Sequence, residues 1–205
     1  MEPTLAVRDS GAMSTFDPTV LPHDLPVPQD DGAAAHLAGR AMPALTLPAT
    51  DGTAVDLSRP GPLPRTVVYA FPRTGRPGEA SLVADWDLIP GARGCTPEAC
   101  AFRDHHAELR AAGATVIGLS TQTTDYQREA VQRLRLPFAM VSDADLRLTR
   151  ALRLPTFTAA GQTLLKRLTL VLRDGRIEHV FYPVFPPDGH ADEVLGWLRA
   201  QAAAG

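Results

Sequence analysis

Apolar and polar positions first fall into order at Leu45 and Leu47, and the alternation resumes at Val55 and Leu57 after Thr50-Asp51-Gly52-Thr53. This pattern predicts two short strands joined as a β-hairpin. Near-continuous apolar runs then replace alternation at Val67-Val68-Tyr69-Ala70-Phe71, at Val116-Ile117-Gly118-Leu119, at residues 138–141 and at Leu168-Thr169-Leu170-Val171-Leu172. Runs of this kind suit strands covered on both faces. The last of them continues through Asp174-Gly175 into residues 177–182, a second hairpin with an Asp-Gly turn. Helical signals lie between the strands. Thr96-Pro97-Glu98 reads as a hydroxyl cap, a proline at the first helical position and an acid in the first turn, opening a helix that runs to Ala112 and stops at Gly113. Thr124 with Gln127 forms a capping-box pattern for a helix ending before Pro137, and residues 142–152 predict another. A closing helix over residues 191–200 presents Val194, Leu195, Trp197 and Leu198 on its apolar face.

Strand and helix therefore alternate after an N-terminal hairpin, which predicts a three-layer α/β sandwich around a central mixed sheet. The order suits a thioredoxin-like fold. Residues 40–202 form the expected domain. Residues 1–39 carry five prolines and no sustained periodicity, so they read as a tail or extended arm, with Met13 as an alternative start. Residues 73–94 are broken by Gly75, Pro77, Gly78, Pro90, Gly91 and Gly94, a connection long enough to suggest a functional reason.

Composition narrows the function. A chain of 205 residues buries roughly 70% of its unfolded surface, so its two cysteines are not needed to hold a core together. A net charge of −3 excludes the basic surplus of a nucleic-acid binder, and no apolar stretch reaches the roughly 20 residues of a membrane helix. Lys166 is the only lysine among 20 basic side chains, a bias we attribute to codon usage. The N-terminus lacks the basic and apolar regions of a secretory signal, so the expected compartment is the cytoplasm, where thiols stay reduced.

The cysteines lie in Cys95-Thr96-Pro97-Glu98-Ala99-Cys100, at the start of one helix. Cys95 sits where free N–H groups and the helix dipole favour an anion, so its thiol pKa is expected to fall. If both residues are helical, their Cα atoms stand roughly 8 to 9 Å apart. A disulfide tolerates about 7 Å, so the pair meets only if the first turn unwinds. Inert core cysteines and a static structural disulfide fit this setting less well. A zinc site with His105 and His106 fails because residues five and ten apart on a helix point in different directions. No metal or cofactor is expected.

The string Gly94-Cys95-Thr96-Pro97-Glu98-Ala99-Cys100-Ala101-Phe102-Arg103-Asp104 resembles the peroxidatic segment of peroxiredoxins of the bacterioferritin comigratory protein, or peroxiredoxin Q, type. Similarity extends to Val116-Ile117-Gly118-Leu119-Ser120-Thr121, to Pro137-Phe138 with Ser142-Asp143, and to Lys166-Arg167-Leu168-Thr169-Leu170-Val171-Leu172 with Asp174-Gly175-Arg176-Ile177. The resemblance implies a thiol-dependent peroxidase acting on hydrogen peroxide or an organic hydroperoxide. Cys95 would be the peroxidatic cysteine, Cys100 would resolve it as an intramolecular disulfide, and Arg167 would stabilise the thiolate and polarise the peroxide. It also implies a thioredoxin-like or small-thiol reductant, and a monomer or weak homodimer.

The chain departs from that family's motif. The motif proline stands seven residues before the peroxidatic cysteine and its hydroxyl residue three before, where this chain has Leu88 and Ala92. Pro72 follows its strand as the motif proline does, yet lies 23 residues before Cys95, an insertion of about sixteen residues. Thr74 and Thr96 are the candidates for the missing hydroxyl, Thr96 being expected to spend its oxygen on the helix cap. Glu98 is placed either to orient an active-site arginine or simply to favour the helix start. Arg93 reads as a solvated loop arginine, Trp86 as a cover for the cysteine or packing within the loop, and His105 and His106 as helix-surface side chains. Two other functions use the same fold, a thiol–disulfide oxidoreductase and a non-enzymatic redox sensor.

Overall fold

The computed structural model describes residues 19–203, so the alternative start at Met13 lies outside the described residues. The elements are β1 (Thr46–Pro48), β2 (Ala54–Asp56), β3 (Arg65–Ala70), α1 (Cys95–Asp104), α2 (His106–Ala111), β4 (Ala114–Ser120), α3 (Thr124–Leu134), β5 (Met140–Ser142), α4 (Arg147–Leu152), β6 (Thr156–Ala159), β7 (Gln162–Leu165), β8 (Leu168–Arg173), β9 (Arg176–Phe181) and α5 (His190–Ala203). The central sheet has the order β5-β4-β3-β8-β9. It is mixed, because β3, β4 and β5 pair in parallel while β8 runs antiparallel to both β3 and β9. This is the three-layer thioredoxin-like architecture that the strand and helix order predicts.

The apolar run of β3 serves both faces of the sheet. Val67, Tyr69 and Phe71 point into a core made with Phe102 of α1, Leu134 of α3 and Val194, Leu195 and Leu198 of α5. Val68 and Ala70 point the other way, into a core with Leu148 and Leu152 of α4, Leu47 and Leu57 around the hairpin, and Leu37. Thus the described segment before the hairpin, which holds no helix or strand, still packs down. Gly39 donates its N–H to Ile177 O at 2.8 Å, and Leu37 is fully buried.

Several local expectations change. The helix expected over residues 96–112 is two helices, α1 and α2, which meet at His105. Gly94, not Thr96, caps α1; it holds φ +102, and a side chain there would collide with Pro187. The cap of α3 is Thr123, whose hydroxyl accepts the Tyr126 N–H, while the Gln127 side chain turns inward to Ser120 Oγ and Val141 O, each at 2.9 Å. Helix α4 begins at Arg147 rather than Ser142, because the Asp143 carboxylate sits before it and accepts the Leu148 and Thr149 N–H groups at 3.0 and 2.7 Å. A hairpin, β6–β7, was not expected at all. It turns through Ala160 and Gly161, both at positive φ, and delivers the chain to Lys166 and Arg167 at the entry of β8.

Candidate active site

Cys95 is the first residue of α1 and is 3% exposed. Its nearest charged neighbour arrives from the opposite side of the chain. Arg167, one residue before β8, extends its guanidinium to the helix start, where Nη2 lies 3.1 Å from Cys95 Sγ and also donates to Arg93 O at 3.1 Å and Gly91 O at 3.3 Å. Nη1 donates to Glu98 Oε2, and neither partner of that ion pair is reached by solvent to any extent. The backbone N–H of Arg73 also points at the Cys95 sulfur, and the thiol donates to Ala92 O at 3.5 Å. So residue 73 and residue 95 are neighbours, and the long connection between them folds back to wall the site.

Of the two candidate hydroxyls, Thr74 is occupied: its Oγ1 and its backbone N–H both donate to Gln122 Oε1, at 3.1 and 2.9 Å. Thr96 Oγ1 is buried with no hydrogen-bond partner, since the cap it was expected to make has gone to Gly94. Thr96 and Cys95 share the floor of a small cavity, about 30 Å³, walled by Arg73, Arg76, Trp86, Arg93 and Tyr126. Such a space admits about two water-sized groups. The Tyr126 ring is faced by both Arg73 and Arg76, with guanidinium carbons 4.5 and 4.1 Å from its centroid. Arg93 is not a solvated loop residue: it is 8% exposed, and Nη2 donates to Val20 O at 2.9 Å. Trp86 is buried against Phe157, Ala159 and Leu164 while lining this cavity, so it both packs the insertion and covers the cysteine.

The sequence profile of the Redoxin family matches residues 37–195. Peroxiredoxin Q of rice, a chloroplastic protein of Oryza sativa subsp. japonica, is 31% identical over 203 residues, 96% of this chain and 84% of the relative. Peroxiredoxin Bcp of Escherichia coli K12 is 31% identical over 170 residues, 80% of this chain and 97% of the relative. The chain belongs to the peroxiredoxins of the Q/Bcp type. Among solved structures, peroxidoxin BcpB of Mycobacterium tuberculosis superposes with a TM-score of 0.63 at 27% identity, covering 80% of this chain and 97% of that one. Family membership makes the chain a thiol peroxidase and favours that activity over the oxidoreductase and sensor alternatives.

In this peroxiredoxin the electrostatics of the cysteine depart from the sequence expectation. Burial pushes the Cys95 thiol up, and although Arg167 and the Arg73 N–H pull it back, the Glu98 carboxylate adds to the rise. The expected fall assumed an exposed helix start; here desolvation outweighs it. Burial likewise raises Glu98 against the pull of Arg167 and, more weakly, of His190. One guanidinium thus serves two acids in a dry site, an arrangement that favours a single negative charge shared between them. Cys100 stands on α1 as expected, half-buried, its thiol pushed up by burial and pulled down by Arg103. Both cysteines are free thiols. His105 pairs with Glu108 and Asp192 on the surface, and His106 packs against the Phe138 ring.

Sequence reasoning missed Arg73, Arg76 and Tyr126 as walls of the site. Arg73 had a signal, its place directly after Pro72, but only the folding-back of the 73–94 connection brings it to Cys95. No helix among the described residues is long and apolar enough to cross a membrane.

Proposed function

We propose that Cys95 is the peroxidatic cysteine, with Arg167, Thr96 and Glu98 completing its site and Cys100 resolving it. The contact of Arg167 Nη2 with Cys95 Sγ at 3.1 Å carries this reading. The Cys95 thiolate attacks one oxygen of the peroxide, the O–O bond breaks, and the departing oxygen leaves as water or an alcohol with the proton the thiol gave up. Arg167 stabilises the charge that develops in this step, and the unpartnered Thr96 hydroxyl binds the peroxide in the cavity at the sulfur. Glu98 positions Arg167. Thr74, through Gln122, holds the Arg73 segment beside the sulfur. The Cys100 thiol then attacks the Cys95 sulfenic acid, forming the disulfide and releasing water, and a thioredoxin-like or small dithiol reductant takes up the oxidation by exchange.

A monomer or weak homodimer completes this reading. A cytoplasmic location accompanies this chemistry, because the disulfide must be reduced in each cycle. Peroxide consumption with a dithiol reductant tests the reading: Cys95→Ser should abolish it, and the wild-type monomer should lose the mass of two hydrogens on treatment with one equivalent of peroxide. Retained turnover in Cys95→Ser would overturn it. Reduction of insulin without peroxide turnover would restore the oxidoreductase alternative.

A further inference from the structure

Residues 19–31 cross the outside of the cysteine site as an arm without helix or strand. Contacts at intervals fix its path. Val20 O accepts Arg93 Nη2 at 2.9 Å, and the Leu21 side chain closes over Gly94 together with Pro187, so that a side chain added at Gly94 would meet both. Further along, Pro28 comes up to Gly91, and the Asp31 carboxylate accepts Lys166 Nζ at 2.6 Å and Tyr182 Oη at 2.7 Å. Among the described residues, no backbone–backbone hydrogen bond holds residues 20–31 to the rest of the chain. A segment held in this way opens locally at low free-energy cost. Leu21 also reaches the second cysteine. With Thr19 it borders a cavity of about 530 Å³ that Pro97, Cys100 and Ala101 line from the helix side. One leucine of the arm therefore lies at both ends of residues 94–100, the stretch that carries the two thiols.

In the intact helix the two thiols are out of reach, because residues five apart stand roughly 8 to 9 Å apart at Cα. Closing a disulfide rearranges residues 94–100 beneath Leu21. The contacts of Leu21 with Gly94 and Pro187, and of Val20 O with Arg93, belong to the helical form. Contacts made in only one of two states favour that state by their own free energy. We propose that residues 20–31 are a strap that keeps the start of α1 helical, with Leu21 its positioning residue, and that the strap slows the attack of Cys100 on the Cys95 sulfenic acid. This rests on the roles proposed above for the two cysteines. The sulfenic acid has two fates. The Cys100 thiol attacks its sulfur, forming the disulfide and releasing water, or a second hydrogen peroxide gives one oxygen to the sulfur and leaves as water, forming the sulfinic acid. By delaying the first reaction, the strap raises the share of the second when peroxide is in excess.

Two substitutions at one position test this: Leu21→Ala removes the contact, and Leu21→Met, close in volume, keeps it. In quenched-flow experiments on the full chain, one equivalent of hydrogen peroxide should consume the Cys95 thiol at the same rate in the wild type and both variants. The disulfide should then appear about fivefold faster in Leu21→Ala, the effect of losing a half-buried leucine's apolar contacts, and at the wild-type rate in Leu21→Met. Under a large excess of peroxide, intact-mass measurement should find less sulfinic acid, seen as the mass of two added oxygens, in Leu21→Ala than in the other two. An equal or slower disulfide step in Leu21→Ala would overturn the strap and leave the cysteine roles standing. Faster consumption of the Cys95 thiol in that variant would overturn it as well, making the arm a gate for peroxide. Failure of the wild type to form the intramolecular disulfide would instead overturn the role of Cys100, and the strap with it.

Discussion

Arg167 carries more of the chemistry than its single charge suggests, because Cys95 and Glu98 both lean on it. Reactivity requires the thiolate, and burial holds the Cys95 thiol high, so below its midpoint the rate should climb about tenfold per pH unit. The sign of each neighbour's effect can be worked out. Glu98 raises the thiol and Arg167 lowers it, so Glu98→Gln should move the midpoint of Cys95 alkylation to lower pH and Arg167→Gln should move it higher. Iodoacetamide rates measured across pH in a Cys100→Ser background check both directions. Thr96 offers a different contrast. Its buried, unpartnered hydroxyl costs the resting protein stability, yet it belongs to a residue that lines the cavity at Cys95. Thr96→Val should therefore raise thermal stability slightly while lowering peroxide turnover about tenfold, the effect of one hydrogen bond; equal turnover would remove Thr96 from the site. The Cys95, Thr96, Glu98 and Cys100 cluster was legible in the sequence because four of its members share one helical turn and a half. The freedom of Thr96 was not legible, since it depends on Gly94 taking the cap beside Pro187, a contact across 93 residues.

Helix α1 holds both cysteines in one unbroken segment, and this sets a condition on the catalytic cycle. Residues five apart on an intact helix stand roughly 8 to 9 Å apart at Cα, beyond the reach of a disulfide. If Cys100 resolves Cys95 as proposed, oxidation unwinds part of α1, and the oxidised protein should show faster hydrogen exchange at the amides of residues 97–104 than the reduced protein. Cys100→Ser treated with peroxide should keep the reduced protein's protection there. The break at His105 leaves α1 only ten residues long, so little helix has to yield. Periodicity located most elements but not their ends, because caps supplied from a distance decide those. Asp143 starts α4 five residues later than the apolar pattern suggests, and the pair of positive-φ residues Ala160 and Gly161 makes the β6–β7 hairpin from a stretch with no strong alternation.

At the scale of the whole molecule, the arm before the hairpin and the 73–94 connection converge on one side of the sheet's cysteine-bearing end. The arm reaches it through Val20, whose carbonyl binds Arg93, and the insertion reaches it through Trp86, which packs on the β6–β7 hairpin. The hairpin thus has a purpose visible only in three dimensions: it braces the 73–94 connection and then hands the chain to Arg167. If that brace sets access to Cys95, its removal should act on reagent size more than on chemistry. Trp86→Ala deletes a large buried side chain next to Phe157, Ala159 and Leu164, a change that typically costs about 3 to 5 kcal/mol when the side chain is fully packed. Much of that loss should appear as local opening, because the insertion carries no strand or α-helix of its own to propagate it. Bulky maleimides, which a space of about 30 Å³ excludes, should then label Cys95 faster than in the wild type, while hydrogen peroxide, small enough for the closed cavity, should react at a similar rate. Parallel acceleration of both reagents would instead mean that Trp86 holds the chemistry of the thiol itself, and unchanged labelling would mean that the insertion is not the gate.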